Sequence, residues 1–479
     1  MTDVTLLLVG AVFAISSITM FALQREKRDI MLERLCLKQR RHSDLKTPSG
    51  SFSLAQRRSH DVPGLDCSTT FPPSRRYVLD GAENTLQQNM ERILPLETSY
   101  HDATDDLRTP CGFSIADIKA LGDFPDYAAF SGVPLPKPYH EFNIKKALPR
   151  PYRPFRWPYH QTMSLAKMES DWWLELENTY EQRIKQRSRL LAKHGDAVLQ
   201  TLPGSELACK ELMEMILQFL CARYPHYFSL NISKTVLLNT ILNTETDLKQ
   251  TPPLHVILQN VPEDFAVMLR DETTGCYKFR AGVICSALGW DVGTKIGLQL
   301  HEIHAPVPDY KEKLQFSMDR YFAKKPTDKP IQRGSWGLEV DQPLFMPPGD
   351  SHGDYRGYQM PDLELSRCHL RVDWQTLRRL PLSGAIVFNF KALFTSLKEL
   401  RDEPFVPGLL LKVLNDGGRN LMQYKNTWHT EHVVKPALQR FHEEQVEKGM
   451  VEEGWEPKTL DESPWFPAWE EKWHRQQGF

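Results

Sequence analysis

Near the middle of the chain one short run carries two imidazoles and two prolines: His301, Glu302, Ile303, His304, Ala305, Pro306, Val307, Pro308. Histidine titrates near neutrality and, when neutral, ligates metals. Pro306 and Pro308 each fix φ and remove a backbone donor, so no regular helix passes through them. Pro306 also turns Ala305 away from the helical region. His304 is therefore expected at the end of an element, with its ring aimed at one point. An imidazole held in that way suits a metal or a haem iron. Two histidines among 16 are unremarkable by themselves, and a solvated or core role accounts for them equally well.

The elements around the run must position it. Asp309 is placed to cap a helix over 310–322, with Leu314, Met318 and Tyr321 on one stripe. Upstream, 165–193 reads as a long helix, with Trp172, Trp173, Leu176, Tyr180, Ile184 and Leu191 on its apolar side. A second helix is expected over 204–224, stopped by Pro225. A capped helical turn begins at Ser114. Strands are expected at 254–258, 265–269, 277–286, 334–340, 369–374 and 384–390. Further helices are expected at 391–401 and 431–449, the latter tolerating Pro436. Strands and helices mix without a regular β-α-β rhythm, which points to an antiparallel α+β domain.

Composition narrows the function classes. The 479 residues are 41% hydrophobic and 25% charged, ordinary values for a globular protein. A net charge of −2 gives no electrostatic case for nucleic acid. The eight cysteines form no C-x-x-C pair and no ferredoxin-type cluster, so zinc ribbons and iron–sulfur centres are unsupported and a reducing compartment is the simpler expectation. No G-x-G-x-x-G opens a helix after a strand, and no Walker A sequence occurs.

Residues 4–23 are uncharged and long enough to cross a bilayer as one helix. Arg25, Lys27, Arg28, Arg34, Lys38, Arg40 and Arg41 follow it, which predicts the main domain on the cytosolic side, the endoplasmic reticulum being the expected membrane. The stretch 42–76 reads as a disordered tether. The proline-rich stretch 134–158 reads as an extended arm packed on the domain surface. The Trp-rich tail from Glu452 is expected to wrap the domain and bury its indoles.

Four blocks together resemble the haem-dependent oxidative N-demethylase-like family, formerly a domain of unknown function, in its fungal, membrane-anchored form. They span residues 153–184, 263–314, 335–345 and 370–394, including RPFRWPYHQTM, EDFAVMLRD, LQLHEIHAPVPDY, SWGLEVDQPLF and LRVDWQTLRRL. The likeness covers about 151–432. It implies a PAS-like mixed α/β domain that binds haem b, with added helices. The expected fold class is thus α+β, preceded by a single N-terminal transmembrane helix. The expected organisation is an anchor over 1–24, a basic tether over 25–76, an irregular arm over 77–150, the family domain over 151–432 and a C-terminal helix and tail over 433–479.

The family's Ile-His-x-Pro-Val motif is matched by Ile303, His304, Pro306 and Val307, so the resemblance makes His304 the axial iron ligand. His301 is the fallback and Cys285 a third option. The fourth block resembles an Arg-x-Glu-Arg-Gln-Thr-Leu pattern, here Arg371, Val372, Asp373, Trp374, Gln375, Thr376, Leu377. It implies Arg371, Asp373 and Gln375 as catalytic groups, with Gln375 or Arg371 donating to the oxygen. Arg378 and Arg379 are the expected partners of haem propionates or substrate. Trp374 stands where the family carries a cation, so a pocket faced by that position differs here. The implied activity is oxidative demethylation of a small amine with O2, fed by an external electron donor, for which a separate membrane reductase is the expected partner. A haem or small-molecule sensor without turnover and a cofactor-free scaffold are the competing readings. A Golgi glycosyltransferase fits the layout, but the basic flank implies the opposite orientation, no Asp-x-Asp motif is present, and Asn231-Ile232-Ser233 is the only sequon.

Overall fold

Alternation along strands decides which side chains of this protein can meet. The computed structural model describes residues 68–79, 92–160 and 162–478. The strands in chain order are β1 Ala166–Lys167, β2 Leu199–Thr201, β3 Phe228–Leu230, β4 Val236–Asn239, β5 Thr244–Asp247, β6 Asp264–Arg270, β7 Tyr277–Val283, β8 Ile331–Val340, β9 Cys368–Arg379 and β10 Ile386–Ser396. Among the described residues they form an antiparallel seven-stranded sheet, ordered β1-β8-β9-β10-β6-β7-β2, and a small sheet β3-β4-β5. The α+β expectation agrees with this architecture.

Successive side chains of a strand point to opposite faces. On one face Phe265, Val267 and Val387 pack with the helix Glu206–Arg223 through Leu212, Ile216 and Leu220. Towards β8 and β9 the same face presents Trp336, Leu338, Val372 and Trp374 to the helices Val406–Asp416 and Trp428–Glu447. The opposite face carries Ala266, Met268, Phe279, Leu377 and Ile386, covered by Leu300, Tyr310, Met318 and Phe322. In register, Arg333 lies opposite Gln375, and Gln375 opposite Phe390, all on this second face.

The expected extended arm is present, and it is pinned by particular contacts. Tyr152 stacks on Trp374 at 3.7 Å and 19°, and Phe155 meets Trp336 edge-on at 5.2 Å. The Arg153 guanidinium donates twice to Glu403, at 2.6 Å each. Gly334 leaves room for the arm: a Cβ there would lie 2.9 Å from Pro154 Cβ and 3.1 Å from Trp374 Cε3. Gly334→Ala is therefore expected to destabilise the fold by ~1–3 kcal/mol through overpacking, measured by urea unfolding. The tail buries its indoles only in part: Trp473 is buried, while Trp455, Trp465 and Trp469 are half-buried, with Trp465 stacked on Trp469 at 4.2 Å.

Several expectations need correction. The single transmembrane helix is not found: among the described residues no helix is long and apolar enough to cross a membrane. The stretch 4–23 on which that expectation rested lies outside the described residues, as do 1–67 in full. The helix expected over 165–193 is confined to Tyr180–His194. The preceding segment is held irregular by its partners, Glu175 accepting from Arg150 and Tyr152 while Lys391 donates to its carbonyl. The strand expected at 254–258 is the helix Pro253–Asn260, started by a proline whose fixed φ suits the first turn. Its short apolar run has no period that separates helix from strand. The helix expected over 391–401 is instead the end of β10, paired with β9 out to Ser396 and His369, and then the 3-10 helix Leu397–Asp402. Asp309 takes φ 53° and pairs with Lys313 at 2.6 Å, ahead of a π-turn Lys311–Gln315 and the helix Phe316–Lys324.

Candidate functional site

A cavity of about 340 Å³ opens on the second face of the sheet. Its floor is Ala266, Met268, Phe279, Gln375, Phe388 and Phe390. One wall is the His304 segment and the helix after it, through Ile303, His304, Val307, Tyr310, Leu314 and Met318. The arm brings Arg156 and Tyr159, and the short helix Arg419–Lys425 brings Leu421, Tyr424 and Lys425. The size falls within the range of small-molecule sites, and the lining has the usual apolar majority with a few polar groups.

His304 ends the short helix Leu300–Ile303, as the prolines after it require. Its Nδ1 lies 2.7 Å from the Leu300 carbonyl. A carbonyl accepts, so Nδ1 carries the proton and Nε2 is left with a free lone pair. The ring stacks on Tyr310 at 5.0 Å and 6°. Burial pushes the imidazole pKa down to about 4, with the charges of Lys295 and Arg333 acting in the same direction against the Leu300 carbonyl. His304 is thus a neutral base at physiological pH. His301 is exposed and does not line the cavity.

Four cations line the cavity: Arg156, Lys295, Arg333 and Lys425. No carboxylate of the described residues does, and none of the four makes an ion pair among them. Some buried cations elsewhere are paired, Arg150 with Glu175 at 2.9 Å and Arg153 with Glu403 at 2.6 Å, while others, such as Arg379, are satisfied by carbonyls. Lys295 instead donates to the Ile303 carbonyl at 3.2 Å and lies over the Trp290 ring at 4.6 Å. Lys425 donates to the Trp336 carbonyl at 2.6 Å and lies over that indole at 4.4 Å. Arg333 Nε is buried with no hydrogen-bond partner among the described residues. Burial lowers the pKa of Lys295 and Arg333, and lowers that of Lys425 to about 7, where Asp373 acts to raise it and Arg333 to lower it. All four are half-buried; cations drawn from water without a carboxylate partner are costly, and here they face one space.

Of the other residues expected at a site, only Gln375 lines this cavity, and its side chain has no hydrogen-bond partner among the described residues. Arg371 and Asp373 share its face but lie towards one end of β9. There the Arg371 guanidinium is taken up by the carbonyls of Ser286 and Pro343 and by Asp373 itself. Arg379 lies at the other end, donating to the Lys325 and Gly384 carbonyls and to the Tyr277 hydroxyl. Arg378 points to the opposite face, over the Trp173 ring at 4.0 Å. None of these four lines the cavity; their groups are engaged by the scaffold around them. Trp374 also points away, onto Tyr152, so the departure from the family's cation falls in a packed core. Cys285 is buried outside the cavity, and burial pushes its thiol up to about 12.

The sequence reading missed Arg156, Lys295, Arg333 and Lys425. The first three sit in or beside the blocks that carry the resemblance, while Lys425 lies beyond them. A lone cation in a sequence looks the same whether solvated or enclosed.

Among the described residues no three His, Cys, Asp or Glu side chains are arranged to hold a bare metal ion. A neutral imidazole beside an apolar slot ringed by cations instead suits a flat, acidic prosthetic group whose metal needs one protein ligand. A family model described as haem-dependent oxidative N-demethylase, alpha subunit-like, matches residues 164–435. That is more than half of the chain, and the chain belongs to this family.

The depressed histidine pKa makes stability pH-dependent. His429, buried outside the cavity, is likewise held down at about 4 by burial. Both folded values lie below the unfolded value of 6.5. Between them the unfolded chain binds more protons, so their contribution is full above pH 6.5 and is lost as pH falls towards 4. Urea midpoints of the cofactor-free chain at about pH 7.5 and about pH 5 should show this drop, and His429→Gln should lessen it.

Proposed function

We propose that this chain is a haem b protein that uses O2 and external electrons to remove a methyl group from an amine. The observation that carries the reading is His304: a neutral imidazole, Nδ1 committed to Leu300, in a cavity of unpaired cations. In this reading Nε2 of His304 holds the iron, and the Leu300 carbonyl fixes the tautomer and the ring. The Arg156 and Arg333 guanidiniums suit the two propionates, since each can donate in a bidentate manner. Phe388, Phe390 and Trp290 line the same cavity and would give the group an apolar bed that excludes water, while Tyr310 backs the His304 ring. When bound, the haem supplies the iron at which O2 is activated. Gln375 offers an uncharged amide donor on the floor of the same cavity, for positioning the reacting groups.

The overall change balances as one secondary amine, one O2, two electrons and two protons giving the demethylated amine, formaldehyde and water. The electrons come from a separate reductase. The test is turnover by the haem-loaded full chain with a chemical reductant, O2 and a panel of N-methyl amines. Formaldehyde released in proportion to O2 consumed is the expected result. Ligand-linked spectral changes without formaldehyde would replace this reading with a sensor.

A further inference from the structure

The cavity holds more cations than haem propionates use. Two arginines answer two propionates, and Lys295 and Lys425 remain; among the described residues Lys295 has a backbone carbonyl and an indole face, and Lys425 a backbone carbonyl, an indole face and the Tyr159 ring, but neither has a carboxylate. Lys295 lies on the His304 side, bonded to the Ile303 carbonyl. Lys425 is on the other side, above β8, and comes from a seven-residue helix that buries none of its side chains. No carboxylate of the described residues lines the cavity to receive a substrate ammonium. A small dialkylammonium ion would meet only like charge there, which acts against binding. An amine that brings its own carboxylate would instead give Lys425 a charge-assisted partner.

Resting on the haem reading above, we infer that the substrate is an N-methyl amino acid, whose carboxylate is held by Lys425. Lys425 is then a specificity-determining residue, selecting substrate by charge, and the amine lies over the aromatic floor. The same carboxylate chemistry is offered by a haem propionate, so the experiment must separate the two sources.

The full-length chain, with and without haem, is titrated calorimetrically with N-methylglycine and with dimethylamine. Haem affinity is read separately from the Soret band. N-methylglycine should bind about tenfold or more tightly than dimethylamine, the worth of one hydrogen bond to a charged group. Lys425→Gln should abolish that preference and leave haem affinity unchanged, while Lys425→Arg should keep the preference. Equal affinity for the two amines in the unaltered chain overturns the inference. So does a Lys425→Gln chain that binds haem more weakly with its preference intact, which assigns the ammonium to a propionate. If the chain takes up no haem, the haem reading fails on the Soret arm. The calorimetric preference then still decides whether a carboxylate site exists.

Discussion

Replacing His304 by alanine should cost the chain its haem while leaving the fold in place. The side chain lines a cavity and ends a short helix, so its loss removes no main-chain bond that the helix needs. Losing an outer partner of a metal ligand costs ~10–100-fold in affinity, and losing the ligand itself should cost more. Haem titration by absorbance, with circular dichroism as the control for folding, measures both. An intermediate variant sharpens the point. His304→Gln keeps polarity and volume but has no imidazole lone pair, so it should fail as completely as alanine. A His301→Ala chain should bind haem normally, because His301 is exposed and outside the cavity. Haem bound as well by the His304 variants as by the native chain would remove His304 from the account.

The second large effect is expected far from the cavity, at Glu403. Arg153 and Glu403 are almost wholly buried, at 3% and 0% side-chain exposure, so neither charge is eased by water. Glu403 also accepts from Lys472 at 3.1 Å, which joins the arm, the sheet end and the C-terminal helix Trp469–Gln477. Glu403→Leu leaves the buried Arg153 guanidinium facing an apolar group, while Lys472 keeps Asp402 at 2.6 Å, and should destabilise the fold by ~3–5 kcal/mol. The double variant Glu403→Leu with Arg153→Met removes the uncompensated guanidinium and should recover much of the loss. Chemical unfolding of the four chains closes the cycle. Because Arg156 and Tyr159 follow Arg153 directly along the arm, the single variant should also weaken haem binding. A Glu403→Leu chain as stable as the native one would mean that the arm is not held there.

What the sequence disclosed follows from how local each signal is. Pro306 and Pro308 dictate where the helix must stop, and that places His304 at an element end without any tertiary knowledge. The alternation in the first half of β9 and of β10 is similarly local and is recognisable as strand, whereas 391–396 of β10 reads as helix. The same alternation, applied residue by residue, separates Arg378 from Arg379: neighbours in a strand face opposite sides, so the two could not share one ligand. It places Gln375 with Arg333 only once the register of β8 against β9 is known, and register is a long-range property. The cations of the cavity are less local still. Arg156 arrives on an arm without regular structure, and Lys425 on a helix some 90 residues from its Trp336 acceptor. The segment before Tyr180 shows the reverse failure. Trp172, Trp173 and Leu176 have helical spacing, but Glu175 is claimed by Arg150 and Tyr152, and tertiary partners override the local period.

On the proposed function, the cavity against His304 holds one haem. The most direct measurement is the absorption spectrum of the full-length chain purified after haem is supplied. A Soret band at one haem per chain is expected, shifting on reduction with dithionite and again on exposure to carbon monoxide. A folded chain that shows no Soret band after haem has been offered in excess would contradict it.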